Sequence, residues 1–140
     1  MAYSILLVDD SSVAIRIMKK IIKLSGLPMG NIFTAQNGKT AIDILSKNKI
    51  DIILTDLNMP VMDGFTFIET VKNIPELSNI PIVIVSTEGR DEYIIKGIKL
   101  GASNYIRKPF KPEQIKDIIQ KTLDITSNLS DFQSSDELDF

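Results

Sequence analysis

The hydrophobic residues of this chain fall into two alternating patterns. Short apolar runs rich in β-branched residues predict buried strands, while residues 104–107, where polar and apolar positions alternate, predict a strand at a sheet edge. Apolar residues spaced three and four apart predict a helix after each run. The predicted strands are residues 4–8, 32–35, 50–56, 82–86 and 104–107.

The predicted helices have recognisable starts and stops. Ser11 or Ser12 can cap the first helix, Gly26 ends it, and Pro112 opens the last. The remaining helices are expected from Gly38, over residues 64–73 and over residues 91–100. The apolar positions of the first helix are Val13, Ile17, Ile21 and Leu24, with Lys19, Lys20 and Lys23 on its solvent side; those of the last helix are Ile115, Ile118, Ile119 and Leu123.

This alternation of strands and helices predicts an α/β fold. Helical crossovers are right-handed and cover both faces of a parallel sheet, which gives a doubly wound domain. Because the first, third and fourth strands are the most hydrophobic, we expect them in the centre. The predicted fold is therefore flavodoxin-like, (βα)5, with a five-stranded parallel sheet in the order 2-1-3-4-5.

Composition narrows the class of protein. The chain of 140 residues fits one domain, at residues 1–125, followed by an acidic and flexible tail at residues 126–140. A net charge of −2 argues against nucleic-acid binding, and there is neither an apolar run long enough to span a bilayer nor a leader sequence. The absence of Cys favours a cytoplasmic location.

The absence of both His and Cys also limits the chemistry. Carboxylates, hydroxyls and Lys remain as reactive groups. Any bound metal should be a hard cation held by oxygen ligands, such as Mg²⁺.

Polar residues with that chemistry follow four of the predicted strands. Asp9 and Asp10 end the first strand, Asp56 the third, Ser86 the fourth and Lys108 the fifth. Since the carboxyl ends of parallel strands share one edge of a sheet, these side chains should converge near the switch point of the strand order. Three carboxylates suit Mg²⁺, and a carboxylate beside a metal and an ammonium suits phosphoryl transfer with Asp56 as nucleophile.

Four segments carry a family pattern: ILLVDDS at residues 5–11, DLNMPVMDG at 56–64, VSTE at 85–88 and GASNYIRKPF at 101–110. Over about residues 3 to 124, the sequence resembles a receiver domain of two-component response regulators, most closely the stand-alone chemotaxis type. The resemblance implies that Asp56 accepts a phosphoryl group from a sensor histidine kinase. It also implies that the protein is a signalling protein and not a conventional enzyme, since it would catalyse only its own phosphorylation and dephosphorylation. It implies the following ligands for Mg²⁺: Asp9, Asp10, Asp56 and the backbone carbonyl of Asn58.

The resemblance also implies a conformational switch. Lys108 would contact the phosphoryl group and precede a cis proline, while Ser86 and Tyr105 would form the switch pair. The readout surface would be the fourth helix, fifth strand and fifth helix, where eight basic residues stand against four acidic ones between residues 90 and 121. An effector such as the flagellar switch would bind there, a phosphatase could act on the protein, and the protein itself would be a monomer or weak dimer.

Some positions near the expected site carry their own predictions. Thr87 stands where the family commonly has Ala, and its bulk should slow the attack of water on the phosphorylated protein. Asn58 and Glu88 occupy positions where the family tunes phosphate lifetime. The acidic tail, with Leu138 and Phe140, suggests docking on the basic readout surface as a further hypothesis.

Other functions remain open at this point. A regulatory or phosphorelay receiver outside chemotaxis would share every feature above. A phosphohydrolase of the haloacid dehalogenase type also uses a strand-end Asp, but it has a second acid where this chain has Asn58. A flavodoxin-like cofactor module would need a phosphate-binding loop after the first strand, where Asp9 and Asp10 would repel the phosphate.

Overall fold

The computed structural model describes residues 2–127 and contains five strands and five helices that alternate along the chain. The strands are β1 (Tyr3–Val8), β2 (Met29–Ala35), β3 (Ile52–Thr55), β4 (Ile82–Ser86) and β5 (Asn104–Arg107). The helices are α1 (Ser12–Leu24), α2 (Gly38–Lys47), α3 (Gly64–Asn73), α4 (Asp91–Leu100) and α5 (Pro112–Ser127).

All five strands form one parallel sheet in the order β2-β1-β3-β4-β5. The predicted fold and strand order are thus confirmed. Every residue of β3 and β4 is buried, as expected for strands covered on both faces, whereas β5 lies at the edge.

Two hydrophobic cores lie on opposite faces of the sheet, because successive residues of a strand point to opposite sides. Leu6 and Ile53 contribute to the core that includes Phe67 of α3. Ile5 and Leu54 contribute to the other core, which contains residues of α1 and α5 such as Met18. The sheet is thus packed between helices on both of its faces.

Side-chain caps define where three helices begin. Ser11 caps α1 by accepting a hydrogen bond from the Ala14 N–H at 3.1 Å, and Asn37 and Asp63 do the same for α2 and α3. Such caps satisfy N–H groups that have no partner within the helix.

The sequence interpretation of α1 needs correction. The residues buried in the core are Ile15, Met18 and Ile22, which are at most 8% exposed. Of the predicted positions, Ile21 is half-buried against this core, while Val13, Ile17 and Leu24 are exposed. Both sets recur at helical spacing, so periodicity alone could not choose between them. Burial against β1 and α5 decides it, and the other stripe is left on the surface.

Helix α5 continues to Ser127, two residues beyond the predicted domain boundary at residue 125. Residues 128–140 of the predicted tail lie outside the described residues. Within the described part of the chain, no helix combines the length and the apolar character needed to cross a membrane.

Candidate functional site

The register of the sheet determines which strand ends meet. Val8 pairs with Thr55, so the residues that follow them, Asp9 and Asp56, emerge at the same level from neighbouring strands. On the other side of β4, Ser86 pairs with Arg107, and Lys108 follows directly. The parallel sheet therefore delivers two carboxylates and an ammonium to one edge, as the sequence predicts.

Lys108 bridges two carboxylates at this edge. Its Nζ donates to Asp9 Oδ2 at 2.6 Å and to Asp56 Oδ2 at 3.2 Å. Asp9 is 1% exposed and Asp56 is 8% exposed, whereas Asp10 is exposed to solvent. The site is thus a largely buried ion cluster with one open side.

The carboxylate of Asp56 is oriented by the backbone that follows it. Oδ1 accepts hydrogen bonds from the N–H of Leu57 at 2.6 Å and the N–H of Asn58 at 3.3 Å. The loop that follows Leu57 is closed by Gly64, whose N–H donates to the Leu57 carbonyl at 2.8 Å. A Cβ at Gly64 would clash with the Asp56 carbonyl oxygen and the Leu57 backbone, so only glycine fits at this position.

Burial and charge shift two pKa values in the cluster. Burial raises the pKa of Asp9 above its ordinary value, although its hydrogen bonds from Lys108 and the Ser11 N–H act in the opposite direction. For Lys108, burial would lower the pKa, but the hydrogen bond to Asp9 and the charge of Asp56 outweigh it, and the pKa is raised. Lys108 is therefore a permanent cation at neutral pH.

The same edge fits a hard divalent cation. Oxygens of Asp9, Asp10 and Asp56 lie within 4.8 Å of one another, and the cluster they form holds three carboxylates against the single ammonium of Lys108. An all-oxygen donor set with excess negative charge and access to water matches the preference of Mg²⁺, which retains several water ligands. The residues present are thus consistent with the Mg²⁺ site expected from the sequence.

Ser86 is held in its own loop. Its Oγ accepts a hydrogen bond from the Glu88 N–H at 3.2 Å, and its carbonyl accepts one from the Lys108 N–H at 2.8 Å. The Lys108–Pro109 peptide bond is cis, as the family resemblance implies. Ser86 is buried and Tyr105 is half-buried against the core that contains Phe67.

The loop between β4 and α4 is fixed by two arginines. The Glu88 carboxylate accepts bonds from Arg90 Nε at 2.9 Å and Nη2 at 3.1 Å, and this pairing lowers the pKa of Glu88. Arg107 on β5 donates from Nη2 to the Gly89 carbonyl at 3.0 Å. Thr87, between these contacts, is exposed.

The sequence analysis found the charged residues of the cluster, but it missed several supporting groups. Thr55, which is fully buried, donates from its hydroxyl to the Asp56 carbonyl at 2.9 Å, and Ser11 donates its N–H to Asp9 Oδ1 at 2.9 Å. A polar residue that ends an apolar run was the available signal for Thr55. Nothing in the sequence indicated that Arg90 would engage Glu88.

Comparison with known proteins gives a consistent result. Residues 5–120 match the response regulator receiver domain. A chemotaxis protein CheY homolog of Campylobacter jejuni is 37% identical over 120 residues, covering 85% of this chain and 91% of that protein. For the chemotaxis protein CheY1 of Helicobacter pylori, the identity is 36% over 120 residues, and the coverage is 85% and 95%.

A solved structure agrees with these sequence matches. The chemotaxis response regulator CheY4 of Vibrio cholerae is 30% identical, and its structure aligns with a TM-score of 0.79 over 87% of this chain and 99% of that one. The matched region includes the four strand ends that build the site described above. This chain belongs to the response regulator receiver domain family.

Proposed function

We propose that this receiver accepts a phosphoryl group on Asp56 from a sensor histidine kinase and signals through the change in shape that follows. The observation that carries the proposal is the contact of the Lys108 ammonium with both Asp9 and Asp56 at the open edge of the sheet. A nucleophilic carboxylate, a fixed cation and an acidic metal cage are the parts that phosphoryl transfer requires.

The transfer itself is a substitution at phosphorus. An oxygen of Asp56 forms a bond to phosphorus while the bond between phosphorus and the donor imidazole breaks, and the electron pair leaves with the imidazole nitrogen. The two backbone N–H groups on Oδ1 fix the plane of the carboxylate, and this lowers the cost of orienting the nucleophile. Hydrolysis by water would later return Asp56 and release phosphate, so the protein would catalyse reactions only on itself.

Lys108 would stabilise the charge that builds up on the phosphoryl oxygens, since its Nζ already lies between the two buried carboxylates. Mg²⁺ bound by Asp9, Asp10, Asp56 and the Asn58 backbone carbonyl would neutralise negative charge in the same place. The exposed carboxylate of Asp10 gives this cage an opening to water.

Signalling would start at Ser86. A phosphoryl group on Asp56 would offer the Ser86 hydroxyl a stronger, charged acceptor. The hydroxyl would move toward it and lose the hydrogen bond that it now accepts from the Glu88 N–H. The vacated space lets the Tyr105 ring pack further inward, which alters the surface of α4, β5 and α5. On that surface Ile95 and Ile98 are exposed and could contact an effector.

The relatives named above are chemotaxis proteins, and by this likeness we assign the present receiver to chemotaxis, with a flagellar switch component as effector and possible control by a phosphatase. Asn58, Thr87 and Glu88 would tune phosphate lifetime. A receiver outside chemotaxis, including one in a phosphorelay, would use the same chemistry and differ only in its partners.

The proposal is tested by incubating the protein with acetyl phosphate and Mg²⁺ and recording its intact mass. We expect a gain of one phosphoryl group that does not form when a chelator is present from the start and is absent in Asp56→Asn. Asp63→Asn is the matched control, because Asp63 is an exposed aspartate that caps α3, and it should be modified like the unaltered protein. Equal modification of Asp56→Asn would contradict the proposal.

A further inference from the structure

Helix α1 has a second apolar stripe that the core does not use. Val13 is 56% exposed, Ile17 is 49% exposed and Leu24 is 76% exposed, while Ile15, Met18 and Ile22 of the same helix are buried. Within the described residues, this stripe contains three of the six large hydrophobic side chains that are most exposed. Apolar side chains grouped on one surface indicate an interaction site.

The stripe borders a groove between α1 and α5. The groove has a volume of about 470 Å³, and its walls are mostly apolar. Ile17, Ile21 and Leu24 form one wall, and Pro112 of α5 lies opposite. A cleft of this size holds two or three apolar side chains of a docked segment.

The charges around the groove indicate which kind of segment would bind there. Lys20 of α1 and Lys116 of α5 line the groove, and α1 carries three further basic residues and no acidic one. Glu113 is the only acidic residue among those that line it. The basic residues of α1 are Arg16, Lys19, Lys20 and Lys23. The surface therefore fits an acidic segment with apolar side chains.

Helix α4 offers a weaker match for such a segment. It exposes Ile95 and Ile98, but Asp91 and Glu92 in its first turn balance its two lysines, Lys96 and Lys99, whereas α1 has no acidic residue. This charge pattern favours α1 over the readout surface on which the sequence alone suggested docking.

A segment with the required chemistry follows α5 directly in the chain. Residues 128–140 contain four acidic residues, no basic residue and four large apolar residues. Thirteen extended residues span about 43 Å, whereas the helix between Lys116 and Ser127 is only about 17 Å long. The segment is therefore long enough to return along α5 to the groove. Its large apolar residues are Leu129, Phe132, Leu138 and Phe140.

We propose that residues 128–140 dock in the groove between α1 and α5 of the same molecule. Apolar side chains of the segment enter the groove, and its carboxylates face Lys20 and Lys116. This contact is independent of phosphorylation at Asp56, so its test does not depend on the proposed function.

The absence of Cys from the chain permits a direct test. A nitroxide spin label is attached to the full-length protein at Ser134→Cys, and the broadening of backbone amide signals is mapped by NMR. We expect the strongest broadening at Ile17, Leu24 and Lys116, with a marked decrease at high salt. Broadening centred on Ile95, or no localised broadening, would overturn the proposal.

A mixed sample distinguishes the molecule's own segment from that of a neighbour. Isotope-labelled protein without nitroxide is combined with unlabelled protein that carries it, and we expect no broadening. Broadening as strong as in the single-species sample would mean that a second copy supplies the segment, and would overturn the intramolecular contact.

Two half-exposed isoleucines provide matched variants. Ile17→Ser should abolish most of the broadening on α1, whereas Ile95→Ser should leave it unchanged, since Ile95 is similarly exposed but lies on α4. Both residues lie outside the cores, so the remaining amide spectrum should report an intact fold. Unchanged broadening in Ile17→Ser would contradict the docking site.

Discussion

The ammonium of Lys108 lies 2.6 Å from the carboxylate of Asp9, a residue that is 99 positions away in the sequence. The contact joins the end of β5 to the end of β1, across the two strands between them in the sheet. It holds a cation beside Asp56, where the proposed phosphoryl transfer would need one, and it partly compensates for the burial of two acids.

Replacing Lys108 with Ala should destabilise the protein because Asp9 and Asp56 would lose their shared cation. We expect the free energy of unfolding without Mg²⁺ to fall by about 3 kcal/mol in urea titrations. Lys111→Ala, at an exposed lysine of the following loop, is the control and should change little. An unaltered unfolding midpoint in Lys108→Ala would show that the cluster does not need its ammonium.

A change at Asp10 tests metal binding without a large effect on stability, because its side chain is exposed while those of Asp9 and Asp56 are buried. In Asp10→Asn, the metal-free stability should stay within about 0.5 kcal/mol of the original. The affinity for Mg²⁺ should fall roughly tenfold or more, equivalent to about 1.4 kcal/mol. Magnesium titrations followed by NMR would measure this, and equal affinities would remove Asp10 from the metal site.

Thr87 should protect the phosphorylated protein. Its exposed, β-branched side chain follows Ser86 and would hinder the approach of water to the phosphoryl group. We expect Thr87→Ala to lose phosphate severalfold faster after the donor is removed, as followed by intact mass over time. A loss that is equal or slower would refute this role.

Val61 holds an unfavourable backbone conformation with φ at +69°. The Met62 N–H donates to the Pro60 carbonyl at 2.7 Å, so Val61 is the centre of a tight three-residue turn that is strained for a β-branched residue. Val61→Asn should raise the free energy of unfolding by about 1 kcal/mol. Val61→Ile keeps the branching and should bring no gain; stabilisation of both variants alike would contradict the explanation.

Much of the fold could be predicted because the strands are continuous apolar runs that alternate with helices. Local sequence patterns were insufficient in α1, where one broad apolar face contains both the buried positions and the exposed stripe at the same helical spacing. Local patterns also underestimated the length of β2, which was predicted from residue 32 but begins at Met29, because it pairs with β1 from Tyr3 onward. Pairing with a distant strand is not visible in local sequence.

The candidate site divides in the same way. The parallel strand order was enough to predict that three residues would converge: Asp9, Asp56 and Lys108. The hydrogen bond from the Glu88 N–H to Ser86 and the ion pair between Glu88 and Arg90 depend on loop conformation and side-chain rotamers, which no spacing rule specifies.

Chemical identification of the phosphorylated residue tests the central claim most directly. The protein is phosphorylated with acetyl phosphate and Mg²⁺ and then treated with borohydride, which reduces an aspartyl phosphate to homoserine, and its peptides are sequenced by mass spectrometry. Our account predicts homoserine at position 56 and the unmodified residue at Asp9 and Asp10. Homoserine at another aspartate, or phosphate on the Ser86 hydroxyl, would contradict it.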